Sequence, residues 1–532
     1  MVTIGFLLGL SFVVSLLALA FLIWALARGQ LKMEQAQAYT IFTPGQVGDR
    51  SQAQTPEGNT SVPQYDDAQV GIDRAARGPV LVMISSGLFW LLLGSVFGLM
   101  ASLKMHFPDW LVNEAAFTFG RARTLHLNMV AYGWLSMTGI GVAMFITGRM
   151  FHTALRMPRL VYVGAVFWNI ALCGGAWAIA SGWSDGEEWL EIPWQWDILL
   201  AIGAACFVVP LVNTARHRNV HHIYVTGWYY FAALCWFPIL FLIANIPFLY
   251  SGAQEATVNW WFAHNVLGLW LTPLGVGAAY YLIPKITGQP IYSYAVSLLG
   301  FWGLALFYSQ VGIHHLIGGP VPTWLVTLSV VHSVMMFIPV IAVAINQYVT
   351  VGRNLWALRD SVPLRFIALG AVSYTAASFQ GSLEALRSVN SVTHFTHYTV
   401  GHAHLGVYGF VSFVLFGAVY YLAPRITGRA WPWPKAMSLH FWLVALGFTI
   451  YFLALSIGGW LQGMAMLDGN RPFSDSVILT IPYLQARSLG GGMMVAGHFI
   501  FVAHFVALFL KRLPVESMPA APRDTQPTAE AA

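Results

Sequence analysis

Thirteen apolar runs of about 20 residues follow one another along this 532-residue chain. A run of that length crosses the hydrocarbon core of a bilayer as one helix, about 30 Å at 1.5 Å per residue. The runs lie near 3–27, 79–103, 126–147, 160–181, 196–215, 223–249, 260–284, 294–318, 322–348, 364–384, 398–424, 437–460 and 489–510. Only 9% of residues are charged against 57% hydrophobic, which excludes a soluble globular domain and specifies an all-α polytopic membrane protein seated in the lipid bilayer.

Lys and Arg in the short loops set the orientation. With 79–103 starting on the cytoplasmic side, the inside loops and the end of the last helix hold fourteen, among them Arg149, Arg156, Arg216, Arg353 and Arg429. The outside loops hold six: Lys104, Arg121, Arg123, Arg387, Arg471 and Arg487. The net charge of +5 is then a topology signal and implies no nucleic-acid partner. The opening run has no basic flank before it and is too long for the apolar region of a signal peptide, so residues 1–28 read as a retained transmembrane anchor. Residues 29–78 read as a polar, mostly disordered cytoplasmic linker, 79–512 as the folded body and 513–532 as a disordered cytoplasmic tail. Cys173, Cys206 and Cys235 fall singly within spans, and no C-x-x-C-H occurs, so no c-type haem is attached to this chain and any c-type cytochrome is a partner.

Six histidines in four motifs sit inside the apolar runs: His126 in TLHLN, His264 in FAHNV, His314 and His315 in GIHHLI, and His402 and His404 in VGHAHLG. A polar side chain at membrane depth needs a compensating partner, and neutral imidazole finds one in haem iron or copper. Isolated histidines such as His332, His440, His498 and His504 read instead as structural or pore-lining. His402 and His404 are two apart, about 200° around a helix, so one helix can serve two haems on opposite faces. His314 and His315 are about 100° apart and reach one ion together only from a distorted helix end, which Gly312, Gly318 and Gly319 permit. With His264 they make a three-imidazole site with an open position, suited to copper beside a haem iron. Tyr308, seven residues before His315, shares nearly the same face and offers a phenol that can give a proton and an electron.

A short repeat supports a common depth for these groups. YYLIPKITG at 280–288 and YYLAPRITG at 420–428 match at seven of nine positions, and each begins 16 residues after a histidine, His264 or His404. Equivalent helices then hold equivalent histidines about 24 Å above the same cytoplasmic exit.

WWFAHN, YSQVGIHHL and TVGHAHLG, together with RTLHLN, closely resemble the catalytic subunit of cbb3-type haem–copper oxygen reductases, over roughly 79–512. The resemblance implies a twelve-helix haem–copper oxidase core, here with one additional N-terminal helix. It implies that His126 and His404 are the axial ligands of a low-spin haem b, that His402 is the proximal ligand of a high-spin haem b, and that His264, His314 and His315 bind copper. Tyr308 matches the family's catalytic tyrosine, bonded covalently to the first copper histidine, here His264. Ser297, Tyr374 and Ser378 match a proton path from the cytoplasm. Glu188 and Glu191 match glutamates near a calcium ion that bridges haem propionates. Two positions depart from the pattern: Gln380, which cannot titrate, replaces a typical glutamate, and His397 replaces a common aspartate. The N-terminal run with FLIWALARGQ resembles a small single-span protein of cbb3 oxidase assembly.

The expected function is a terminal respiratory oxidase of the bacterial inner membrane. It would reduce O2 to water with electrons from a membrane-anchored c-type cytochrome and protons from the cytoplasm. One rival is a nitric oxide reductase with non-haem iron, which usually places glutamates near that iron; HNVLGLWLTPLG after His264 has none. The other is a transporter or haem sensor without turnover, whose histidines relay ions.

Overall fold

The computed structural model describes residue 16, residues 19–50 and residues 67–511. Among them, twelve helices are long and apolar enough to cross a membrane: α1 (Ala68–Lys104), α2 (Phe119–Met150), α3 (Pro158–Ser181), α4 (Trp194–Arg216), α5 (Val225–Ala244), α6 (Ala253–Thr287), α7 (Tyr294–Leu316), α8 (Thr323–Gly352), α9 (Val362–Glu384), α10 (His397–Thr427), α11 (Pro434–Leu467) and α12 (Phe473–Leu510). No strand occurs among the described residues. Most of the expected span at 3–27 and all of the tail at 513–532 lie outside them; residues 19–27 are helical, with Phe21 edge-on to Trp228 at 5.6 Å.

The helices are not equivalent. The apolar windows of α2, α6 and α10 are 94%, 89% and 89% buried inside the protein, whereas the other nine are 44–56% buried and so keep a face for lipid. These three interior helices carry His126, His264, and the pair His402 and His404. Each also contains a π-helical stretch just past its histidine: Met129–Ser136, Val266–Leu271 and Leu405–Ser412. A π turn accommodates an extra residue and re-aims what precedes it, and such turns recur at functional sites. The repeat read in the sequence ends α6 and α10 alike, at Gly288 and Gly428, with left-handed φ of +65° and +67° that a side chain would strain.

The body begins earlier than hydropathy placed it, at Ala68, the start of α1, rather than 79. The first turns of α1 are polar because they hold a buried ion pair: Arg149 Nε donates to Asp73 Oδ1 at 2.6 Å, its Nη2 to Asp73 Oδ2, and its Nη1 to Gln69 at 3.1 Å. Residues 29–50 also depart from the expected loose linker. Gln30 is fully buried, donating to His221 O at 2.9 Å and accepting from Ile223 N–H at 2.8 Å. Gln35, in a 3-10 turn (Gln35–Tyr39), treats Ile291 O and Tyr294 N–H the same way, at 2.8 and 2.9 Å. Lys285 donates to Ile41 O and Gln46 Oε1, at 2.7 and 2.5 Å. Glutamine offers donor and acceptor together, so a segment that looks merely polar can satisfy backbone groups at helix ends.

Candidate functional site

Between α6 and the end of α7, the nitrogens of His264, His314 and His315 all lie within 4.8 Å of one another. The expected helix distortion is present: Tyr308–Leu316 winds as a 3-10 helix, tighter than the α-helix before it. Gly312 lets that turn press against α6, since a Cβ there would fall 2.4 Å from Trp260 O and 2.8 Å from His264 Cβ. Neighbours fix the rings. Ser333 Oγ donates to Ser329 O at 2.8 Å and therefore accepts from His314 Nδ1–H at 3.0 Å, which leaves His314 Nε2 as a free lone pair. His315 stacks on Trp260 at 4.2 Å and 14°, and His264 Nδ1 is buried with no protein partner. Three imidazoles converging with lone pairs and no carboxylate suit copper.

Tyr308 stands beside the triad, its ring 5.0 Å from that of His264. Gly268, one turn past His264, makes the room: a Cβ there would lie 1.7 Å from Tyr308 Cζ.

Below a second face, His126 and His404 oppose each other with ring centroids 6.3 Å apart and planes 11° from parallel. Two nitrogens each ~2 Å from one metal, with ~1.1 Å more to each ring centre, put centroids about 6 Å apart. Both rings present Nε2, because each Nδ1–H donates to a carbonyl at 2.8 Å, Gly94 O for His126 and Val400 O for His404. Tyr451, itself accepting from Arg487 Nε at 3.0 Å, donates its O–H to His404 Nε2 at 3.1 Å, so the phenol meets the lone pair that the ring would give to a metal. His402 turns the other way, toward α9, where a Cβ on Gly381 would lie 2.8 Å from its Cε1; its Nδ1 is buried and unpartnered. His126, His402 and His404 are only half-buried although their helices are the most enclosed in the bundle, so the rings border internal space.

The expected proton-path residues are less connected. Ser297 is buried, donating to Tyr294 O at 2.6 Å, and Ser378 donates to Tyr374 O at 2.8 Å. Among the described residues no hydrogen bond joins Ser297 to Tyr374. In the 182–193 loop, Glu188 pairs with Arg123 at 2.7 Å and Glu191 accepts from Asn128 at 3.0 Å, while Glu191 Oε1 and Asn128 Oδ1 have no partner. Burial, reinforced by Glu188, pushes the Glu191 carboxyl up to about 7.

Sequence reading missed Glu384, one turn past Gln380 on α9. It is buried, with one oxygen accepting from Thr399 at 3.2 Å and the other unpartnered, as is Gln380 Oε1. A carboxylate inside an apolar run was the available signal. Gly268 and Gly381 carried none.

Residues 78–493 match the family model described as cytochrome c and quinol oxidase polypeptide I. The chain belongs to that family. It is 31% identical over 438 residues to the cytochrome c oxidase subunit 1 homolog of Agrobacterium tumefaciens, covering 78% of this chain and 80% of that one. It is 30% identical over 427 residues to the cbb3-type cytochrome c oxidase subunit CcoN1 of Stutzerimonas stutzeri, covering 77% and 90%. A solved haem–copper terminal oxidase dimer shares the fold, with a TM-score of 0.66, 17% identity and 86% coverage of each chain. The oxidase subunit is thus a multi-pass membrane enzyme whose family carries haem and copper, and the transporter and sensor readings fall away.

Proposed function

We propose that this subunit reduces dioxygen to water as the catalytic core of a cbb3-type oxidase in a bacterial inner membrane, with electrons from a membrane-anchored c-type cytochrome. The observation that carries this reading is the pairing of the His264–His314–His315 triad with Tyr308 at 5.0 Å. In it His126 and His404 hold a low-spin haem b, His402 holds a high-spin haem b, and the triad holds copper. When bound, the haem and copper pair supplies electrons and an open coordination position to dioxygen. The chain's own residues do the rest. Ser333 and Trp260 hold the tautomer and plane of two copper histidines, and Tyr308 holds a hydroxyl proton beside the triad. Ser297, Tyr374 and Ser378 lie on the route by which protons come from the basic, cytoplasmic face. The N-terminal residues 1–28 act as an anchor.

Calcium at Glu188 and Glu191 belongs to the same reading. The unpartnered oxygens of Glu191 and Asn128 favour a cation there, with Glu188 committed to Arg123 through one oxygen.

Tyr308 and the absence of glutamate after His264 favour oxygen over nitric oxide. Metal analysis, a reduced-minus-oxidised spectrum, and oxygen and nitric oxide turnover on one preparation test the reading. One copper, two b-type haems and oxygen turnover are expected, with copper lost on replacing any triad histidine by Ala. Iron in place of copper, with nitric oxide as the preferred substrate, would overturn it.

A further inference from the structure

Three histidines away from the ligands are almost wholly buried: His440 on α11 and His498 and His504 on α12, at 0%, 3% and 1% exposure. The bonds of His498 have a fixed direction. Ser95 Oγ donates to Leu91 O at 2.5 Å, so it accepts from His498 Nδ1–H at 2.8 Å; His498 Nε2 then accepts from Tyr408 O–H at 2.7 Å. Both ends of this relay adjoin the low-spin pair. Ser95 follows Gly94, whose carbonyl receives His126 Nδ1–H, and Tyr408 lies about one turn past His404.

Toward the basic face the pairing runs out. Tyr420 OH meets His440 Nδ1 at 3.1 Å, but His440 Nε2 and both nitrogens of His504 have no protein partner. A buried imidazole in that state is costly unless water or a shared proton satisfies it. The rings are close neighbours: Phe416 packs on His440 and His498 at 4.8 and 5.6 Å, and Tyr420 on His440 and His504 at 5.7 and 5.9 Å. Trp431 and Trp433 cover His504 at 4.6 and 6.3 Å. Cations at this end include Arg425 on α10, Arg429, which donates to Phe509 O, Lys435 at the start of α11, and Lys511, which lies over Trp433.

We propose that His504, His440 and His498, bridged by internal water, form a proton-holding column that draws a proton from the basic face as an electron reaches the low-spin haem. It rests on His126 and His404 being that haem's ligands. One electron adds one negative charge to the haem; at most one proton enters past His504, resides on His440 or His504, and returns when the electron leaves. The column runs along α10, α11 and α12, apart from Ser297 on α7 and from Tyr374 and Ser378 on α9.

The test uses purified enzyme whose high-spin haem is held reduced under carbon monoxide. The low-spin haem is then reduced photochemically, and proton uptake is read with a pH-indicator dye. Wild type should take up protons in step with the low-spin spectrum. His440→Phe combined with His504→Phe keeps rings in the packing and should lower uptake several-fold; Tyr420→Phe, which deletes one hydroxyl, should do the same. Gly492→Ala, whose added Cβ meets nothing within 4 Å, should keep wild-type uptake. Haem reduction without uptake in wild type, unchanged uptake in both column variants, or loss of uptake in Gly492→Ala would each overturn the proposal. A low-spin spectrum that survives His126→Ala would sink the ligand assignment beneath it, and that outcome is read from the spectrum alone.

Discussion

Gly268→Ala should silence oxygen reduction without touching any ligand. The added Cβ would fall 1.7 Å from Tyr308 Cζ, 1.8 Å from its Cε1 and 2.3 Å from its hydroxyl, whereas ordinary contact begins at 3.4 Å. The ring must therefore retreat by 3.4 − 1.7, or 1.7 Å, since α6 is enclosed and cannot yield as a whole. Overpacking of this kind costs about 1–3 kcal/mol of stability, and a 1 Å misplacement of a reacting group costs about 10²-fold in rate. Oxygen turnover should fall by about 10²-fold or more, with the low-spin haem spectrum intact because its proposed ligands, His126 and His404, lie on α2 and α10. Gly492→Ala, where nothing lies within 4 Å of the new Cβ, serves as the control and should be silent. In a Tyr308→Ala background the clash is gone, so Gly268→Ala should then cost little thermal stability. Turnover within about twofold of wild type in Gly268→Ala would refute the placement of Tyr308 against this helix.

Three further outcomes follow from the site. His404→Ala and His126→Ala should each remove the low-spin haem alone and His402→Ala the high-spin haem alone, read from optical spectra; loss of both haems from a folded single variant would contradict the division. Tyr308→Phe should keep haems and copper yet lose nearly all oxygen turnover, and a peptide joining residues 264 and 308, sought by mass spectrometry after proteolysis, should be present in wild type and missing in the variant. In the outer loop, burial and neighbouring Glu255 push the Glu187 carboxyl up to about 7, as burial and Glu188 do for Glu191. A raised carboxyl pKa stabilises the fold below the ordinary value of 4.5 and loses that contribution as pH rises through about 7. Chelator-treated enzyme should therefore melt at lower temperature at about pH 8 than at about pH 5, and calcium should restore stability at the higher pH by favouring the ionised carboxylates. No calcium effect at the higher pH would remove calcium from the reading.

What the sequence disclosed depended on whether the signal was local. The twelve spans of the core were legible because each is a continuous apolar run, and the six candidate histidines stood out because ionisable groups are rare inside such runs. The start of α1 was not, since Asp73 and Gln69 look like linker until Arg149, far along the chain, is seen to pair with them. Residues 29–50 were misread for the same reason: Gln30 and Gln35 are polar letters whose partners, the 221–223 and 291–294 backbones, are remote. The need for a distorted end at His314 and His315 could be argued from 100° geometry, but its form, a 3-10 turn, could not. The π turns escaped because their sequences keep the apolar character of the helices around them.

Those π turns bear on how one helix would serve two cofactors under the proposed assignment. His402 and His404 must diverge in direction while staying at almost the same depth, and a spacing of two does this only if the helix through them is regular. His397–His404 is α-helical, and the π stretch begins at the next residue, Leu405. The irregularity thus lies below the ligands, where it resets the register of Tyr408, Phe416 and Tyr420 against α12 without disturbing the imidazoles above. The same order, histidine and then π turn, holds at His126 and His264, so each interior helix separates the register that aims its ligand from the register that packs its lower half. Histidine direction and bundle packing are then set by separate stretches of one helix.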